Sequence, residues 1–177
     1  MFSAAKYIQQ SDPAAKSMWE VIFTYSGFHA LAFYRLSHHL YQKKHYFLAA
    51  LVAHLGKQVT HVEIHPGATI GKYVFIDHGT GVVIGETAIV GDFVTILHGV
   101  TLGSRHISEG PRHPQVGNHA FIGANAMLLG HVNIGANAKV GAGSVVLHDV
   151  PPYATVVGNP GRIINQQVKL TVHSNHG

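Results

Sequence analysis

Residues 63–90 read EIHPGATIGKYVFIDHGTGVVIGETAIV, and the spacing of their aliphatic side chains decides the fold. Such residues fall every six positions, at Ile64, Ile70, Ile76 and Val82, and after a two-residue slip the series resumes at Ile84, Val90, Ile96 and Leu102. It returns at Val116, Ile122, Leu128, Ile134, Val140 and Val146, and a glycine directly follows eight of these fourteen positions. An amphipathic helix repeats about every 3.6 residues and a half-buried strand about every 2. A sustained period of six belongs to a solenoid, in which each aliphatic residue points into a narrow shared core and each small residue turns the chain between flat faces. Three hexads per coil give roughly five coils from residue 64 to about 150. The expected architecture is mainly β, a parallel β-helix, whose hand the spacing leaves open.

One stretch breaks the register. Residues 104–115, SRHISEGPRHPQ, carry no hexad aliphatic and are polar, so they are expected to leave the coil as an extruded loop, a common place for function on a rigid scaffold. Upstream of Glu63 the period becomes helical. Asp12-Pro13 has the form of a helix N-cap with proline at the first helical position, opening a segment with Met18, Trp19, Ile22 and Phe23 that Ser26-Gly27 ends. Phe28, Leu31, Leu36 and Leu40 form a second apolar stripe, and Leu48, Leu51, Val52, Leu55 and Val59 a third after Lys43-Lys44. The organisation expected is a small α-helical subdomain over 1–62, a β-helix over 63–164 and a tail over 165–177.

Composition narrows the function classes. With 11% charged and 46% hydrophobic residues in 177, disorder is excluded. The absence of cysteine removes disulfide scaffolds, thiolate zinc sites and thiol catalysis. The longest apolar run, 46–53, is too short to span a bilayer, and no signal core opens the chain, so a soluble cytoplasmic protein without a membrane partner is expected. The net charge of +4 and pI near 9.4 raise the question of nucleic acid. Residues 1–63 hold six basic groups against three acids and residues 64–164 five of each, so no basic stripe emerges and nucleic acid is not an expected partner. The 16 histidines fit metal ligands, proton shuttles or plain surface.

Eight motifs, in order, resemble the serine O-acetyltransferases of the hexapeptide acyltransferase superfamily. They are DPAA (12–15), GFHAL (27–31), EIHPGATIG (63–71), IDHGTGVVIGETA (76–88), HGVTLG (98–103), RHP (112–114), GAGSVVL (141–147) and GNPGRII (158–164). The resemblance implies a left-handed coil and an acetyl-CoA-dependent enzyme that acetylates the L-serine hydroxyl, giving O-acetylserine for cysteine biosynthesis. By position it makes His78 the general base and Glu63 its carboxylate partner. Arg112 and His113 orient serine, Asp12 and Asp77 hold the amino acid, and no metal takes part. Acetyl-CoA lies in a groove between neighbouring β-helices, touching Gly103, Ala124 and Ala142. The chain departs from the pattern at Gly103-Ser104-Arg105 and at Pro111. The resemblance also implies a homo-oligomer closed by threefold symmetry. Because few residues precede DPAA, a trimer is expected rather than a hexamer. The chain ends in Gly177 where relatives that dock into cysteine synthase end in isoleucine, so such docking is not expected.

The chemistry agrees with these residue types. A serine hydroxyl is a weak nucleophile at neutral pH and needs a base with a pKa near 7, for which histidine is the default. A carboxylate on the other ring nitrogen fixes the tautomer and stabilises the imidazolium. Glu63 and His78 stand a little less than one expected coil apart in the sequence, which predicts near neighbours on adjacent coils. A free amino acid then needs an acid for its ammonium and an arginine for its carboxylate. Plainer readings stand beside these: Asp12 as a helix cap, Glu63 as a junction surface charge, Arg112 and His113 as loop solvation, and the small residues as solenoid turns. Other functions stay open too: a hexapeptide acetyltransferase for a sugar or another amino acid, an inert scaffold, or a γ-type carbonic anhydrase-like metalloenzyme using His98, His113 and His119.

Overall fold

Short strands of alternating outward and inward residues, joined by tight corners, stack into a three-sided parallel β-helix behind four helices. The structure is a computed structural model describing residues 2–107 and 109–166. Nearly all of the expected tail, with Gly177 and the docking question, lies outside the described residues. The first face holds β1 (Glu63–Ile64), β4 (Val83–Ile84), β7 (Thr101–Gly103), β10 (Met127–Leu129) and β13 (Val145–Val146). The second holds β2 (Thr69–Ile70), β5 (Ile89–Val90), β8 (Gln115–Val116) and β11 (Asn133–Ile134). The third holds β3 (Phe75–Ile76), β6 (Thr95–Ile96), β9 (Phe121–Ile122), β12 (Lys139–Val140), β14 (Ala154–Val157) and β15 (Arg162–Gln166). All pairs are parallel except β14 with β15.

The fourteen aliphatics are all in the core, each such side chain contributing about 1.5–3 kcal/mol on burial. A second interior position lies two residues before each: Val62, Ala68, Val74, Ala88, Val94, Val100, Ala120, Ala126, Val132 and Ala138 are buried as well. Val82, read as a member of the hexad series, belongs to this second set, two residues before Ile84. Register shows why. Glu63 pairs with Val83 and Val83 with Thr101, so the first coil is two residues longer than the second. Thr101 pairs with Met127 across a still longer coil that contains the extruded loop, and Met127 with Val145 across one as long as the second. The coils do not end near Val146 as the hexads do. Val150 bridges to Ile134 and β14 pairs with β12, completing another turn before β15 folds back.

The helices correct the sequence reading at several points. They are α1 (Phe2–Ser11), α2 (Met18–Thr24), α3 (Ser26–Gln42) and α4 (Tyr46–Thr60), four where the periodicity shows three. Asp12-Pro13 does not cap a helix start; it follows the end of α1. Ser17 caps α2, its hydroxyl accepting from the Glu20 amide at 3.1 Å. The break between α2 and α3 falls at Tyr25, with Ser26 and Gly27 inside α3. The stripe of Leu48, Leu51, Leu55 and Val59 on α4 is 45–65% exposed, because α4 meets its neighbours through the small residues Ala49, Gly56 and Thr60. A Cβ at Gly56 would lie 2.7 Å from that of Phe33 on α3. Among the described residues no helix is long and apolar enough to cross a membrane.

Gly27 seats α3 on the solenoid, since a Cβ there would lie 2.0 Å from the Ile76 carbonyl oxygen. Gly27→Ala is therefore expected to lower stability by about 1–3 kcal/mol through overpacking, read as an earlier denaturant midpoint with unchanged slope.

Candidate active site

The two extra residues of the first coil lie in the corner between β3 and β4, and this corner presents His78. Its frame is hydrogen-bonded: Asp77 N to Ile96 O at 2.9 Å, Gly81 N to His61 O at 2.9 Å, and Gly99 N to Thr80 O at 2.9 Å. His78 itself has φ 58°, a left-handed conformation uncommon for a residue other than glycine. Its side chain is 74% exposed, with Nε2 3.8 Å from Asp77 Oδ1 and its ring 5.9 Å from that of His98, centre to centre. The segment after α1 adds Asp12, whose Oδ1 accepts from the Ala14 amide at 2.8 Å and whose Oδ2 accepts from the Tyr25 hydroxyl at 2.6 Å. Asp12, Tyr25, Asp77 and His78 line one cleft of about 360 Å³. The Tyr25 bond, then the Ala14 amide, hold Asp12 below the usual carboxylate range. Burial and the same bond push the Tyr25 hydroxyl well up, so it acts as a donor.

Further along this histidine edge the corners stack directly. Asn125 N donates to His98 O at 2.9 Å and Gly143 N to Ala124 O at 2.8 Å, placing Ala124 and Ala142 on the edge that carries His78. Gly103 sits elsewhere, at the end of β7 opposite Leu129, where the loop departs.

The loop returns to the next edge, between the first and second faces. The Arg112 and His113 amides both donate to Thr87 Oγ1, at 2.9 and 3.2 Å, and the Thr87 amide donates to His113 Nδ1 at 3.2 Å. A neutral His113 therefore carries its proton on Nε2. The ring lies against Gly85, where a Cβ would come within 2.1 Å of it. Burial, reinforced by Arg112, pushes His113 down. Arg112 Nη2 bonds Glu86 Oε2 at 2.6 Å, and the Tyr41 hydroxyl donates to Glu86 Oε1 at 3.2 Å. The Arg112 bond, with Tyr41 assisting, holds Glu86 below the usual range. Burial pushes the neighbouring His65 down.

Glu63 is not where the sequence spacing puts it. Its Oε2 lies 2.6 Å from Lys57 Nζ, and it lines a cleft of about 580 Å³ with Tyr41, His65 and Glu86. Among the described residues the carboxylate paired with His78 is Asp77. Glu63 and His78 also share the lengthened first coil rather than adjacent ones. The structure thus brings Asp12, Asp77 and His78 together and Arg112 and His113 together, on different edges. Sequence reasoning misses Tyr25, Tyr41, Glu86 and Thr87. Glu86 and Thr87 follow a hexad glycine inside a motif already singled out, whereas the tyrosines have no signal beyond their helices. The rival ligands His98, His113 and His119 sit at three different edges, and His119 is stacked on Phe93 at 4.9 Å between ring centres.

A hexad-period β-helix with an extruded loop and an exposed corner histidine defines a hexapeptide-repeat transferase, and the bacterial transferase hexapeptide family (six repeats) matches residues 113–148. The serine acetyltransferase of Bacillus subtilis is 54% identical over 158 residues, 89% of this chain and 73% of the relative. Two solved structures are similar throughout. Soybean serine acetyltransferase complexed with serine has TM-score 0.89 at 46% identity, covering 92% of this chain and 67% of that one. Brucella abortus serine acetyltransferase in complex with coenzyme A has TM-score 0.90 at 41% identity, covering 93% and 66%. The chain thus spans about two thirds of the length of these solved proteins. It belongs to the serine acetyltransferase family, and its β-helix is left-handed.

The Glu86–Arg112 pair gives stability a defined acid limb. A carboxyl with lowered folded pKa contributes stability fully present above its unfolded value, near 4.5, and lost as pH falls through the folded one. The wild-type thermal midpoint should fall more steeply below about pH 4.5 than that of Glu86→Gln; identical slopes between pH 5 and 3 would contradict the pairing.

Proposed function

We propose that the two clusters are complementary halves of one active site, completed between neighbouring copies of the chain. The activity is acetyl transfer from acetyl-CoA to L-serine, as in the family, yielding O-acetylserine and CoA. The observation that carries the assembly is the separation of the halves. Tyr25, bonded to Asp12, and Tyr41, bonded to Glu86, lie sixteen residues apart along α3, about 24 Å at 1.5 Å per residue. One serine does not span that distance, so the ammonium and carboxylate sites of one chain serve different serine molecules, and a ring of copies closes every site. A trimer in the cytoplasm, where both substrates are met, is the form we favour. Residues 1–62 then act as the helical subdomain that delivers Asp12, 63–164 as the catalytic β-helix with loop 104–115, and 165–177 as a tail.

In this reading Asp12 and Asp77 take the serine ammonium and Arg112 of a neighbouring copy takes the carboxylate. His78 removes the hydroxyl proton as the serine oxygen attacks the thioester carbon. The tetrahedral intermediate collapses with cleavage of the C–S bond, and the imidazolium returns the proton to the departing sulfur, leaving His78 unchanged. His113, neutral and carrying Nε2–H, supplies a hydrogen bond to the reacting oxygen atoms. Glu63 serves His78 across the interface, leaving Lys57 to do so. Ala124 and Ala142 keep the histidine edge shallow for the pantetheine arm, and Gly103 does so where the loop begins. Transfer is direct: the chain has no cysteine and the mechanism uses no acyl-enzyme.

CoA release with L-serine as acceptor tests the activity. His78→Ala should lower kcat by roughly 10²–10⁴-fold, the cost of a lost general base, and Glu63→Gln should lower it less; near wild-type turnover of His78→Ala would end the assignment. Co-assembling His78→Ala with Arg112→Met chains in equal amounts should restore about a quarter of wild-type activity if each site draws on two chains. Activity no higher than the parent variants would refute shared sites.

A further inference from the structure

Of the charges proposed to bind the amino acid, Asp12 is bonded directly to the tyrosine that caps α3, and Arg112 is linked through Glu86 to a tyrosine of α3. Tyr25 ends α2 and caps α3, its amide bonded to Val21 O. Its hydroxyl is thereby a fixed point aimed at Asp12 Oδ2 at 2.6 Å, while the Ala14 amide holds Oδ1. Tyr41, one residue before the end of α3, is flanked by the rings of Tyr46, 5.1 Å away, and His65, 5.9 Å away, centre to centre. Its hydroxyl occupies Glu86 Oε1 while Arg112 Nη2 occupies Oε2.

Arginine and a carboxylate prefer a two-pronged fork in which both oxygens take parallel N–H donors. With Oε1 engaged by Tyr41, Glu86 meets Arg112 through one oxygen, and the remaining guanidinium donors stay available. Remove the hydroxyl, and Oε1 is released to close the fork that a substrate carboxylate needs. At the other end, without Tyr25 the Asp12 carboxylate is tethered by one oxygen alone and turns about that bond. We propose that Tyr25 and Tyr41 are positioning residues for the amino-acid substrate, Tyr25 aiming Asp12 at the ammonium and Tyr41 keeping Arg112 open to the carboxylate. This rests on the reading of Asp12 and Arg112 given above.

The test is steady-state kinetics of the Tyr25→Phe and Tyr41→Phe variants with L-serine, L-glycerate, which lacks the ammonium, and L-serinamide, which lacks the carboxylate charge. Each variant should raise KM for L-serine roughly tenfold, the lower end for a hydrogen bond to an ionised group. Values for kcat should stay within about twofold and KM for acetyl-CoA should not move, which a general loss of structure would not reproduce. Tyr25→Phe should spare L-glycerate, and Tyr41→Phe should spare L-serinamide. A double-mutant cycle checks the second arm without analogues: in Glu86→Gln, adding Tyr41→Phe should cost less than about twofold more. Equal losses on every acceptor, or an L-serine KM moved less than twofold by both variants, would overturn the proposal. Asp12→Asn and Arg112→Met separate the two failures. If they raise the L-serine KM and the tyrosine variants do not, only this inference falls; if they too leave it unmoved, the site reading falls with it.

Discussion

The narrow interior of the coil is the constraint on which the rest of the structure depends. Each face admits one aliphatic residue and, two positions earlier, one smaller one, and parallel pairing locks every coil to the next in register. A solenoid so packed has no slack in its strands, and extra residues find room only at corners. Both departures from the regular coil follow that rule. The two extra residues between β3 and β4 lift His78 out of the surface, and the longer insertion after β7 carries Arg112 and His113 to another edge. The residues of the proposed site sit at the interruptions because the core absorbs none of them.

The open ends of such a stack expose unpaired strand edges, which invite association. At the first coil α3 covers them: the Tyr34 hydroxyl donates to Ala68 O at 2.7 Å and accepts from the Ile70 amide at 3.1 Å, and Arg35 donates to the Ile70 and Gly71 carbonyls. At the far end β15 pairs antiparallel with β14. The bonds that cap the solenoid also fix α3 across it. That gives Tyr25 and Tyr41 stationary bases from which to hold Asp12 and Glu86.

Much of this is legible in the sequence, and the exceptions have physical causes. Period six is unmistakable because the aliphatic positions tolerate so few residue types, whereas the second interior position takes Ala or Val in no fixed order, with Pro114 and Ser144 among them, and looks like noise. Asp12-Pro13 resembles a helix cap because an Asx turn uses the same chemistry, a carboxylate accepting an amide two residues on; only the surrounding chain tells the two apart. The α4 stripe reads as core because periodicity counts large apolar residues, while the contact is made by small ones that permit close approach, as Gly56 does to Phe33. Fifteen residues fall short of one coil at either length, so Glu63 and His78 share a coil, and the two residues inserted between β3 and β4 set His78 farther before Val83, the residue stacked on Glu63. By contrast Asp12 shares a cleft with Asp77 and His78, although the helices, turns and strands between them follow no single period that would reveal the meeting.

Electrostatics then divides the labour among these groups. Asp12 and Glu86 are held below the ordinary carboxylate range and remain anions at neutral pH. The Tyr25 and Tyr41 hydroxyls are raised and remain donors, and His113 is pushed down toward the neutral ring. Each of these is set in the form its contact requires: the Asp12 anion for an ammonium, the Glu86 anion for a guanidinium, hydroxyl donors for the carboxylates, and neutral N–H for an oxygen. None needs to change protonation during turnover, and a site whose binding groups are fixed loses no binding energy to proton exchange with its base. His78, exposed at its corner and bonded to none of them, is in the proposed mechanism the group left to move the proton, so that binding and proton transfer fall to different residues.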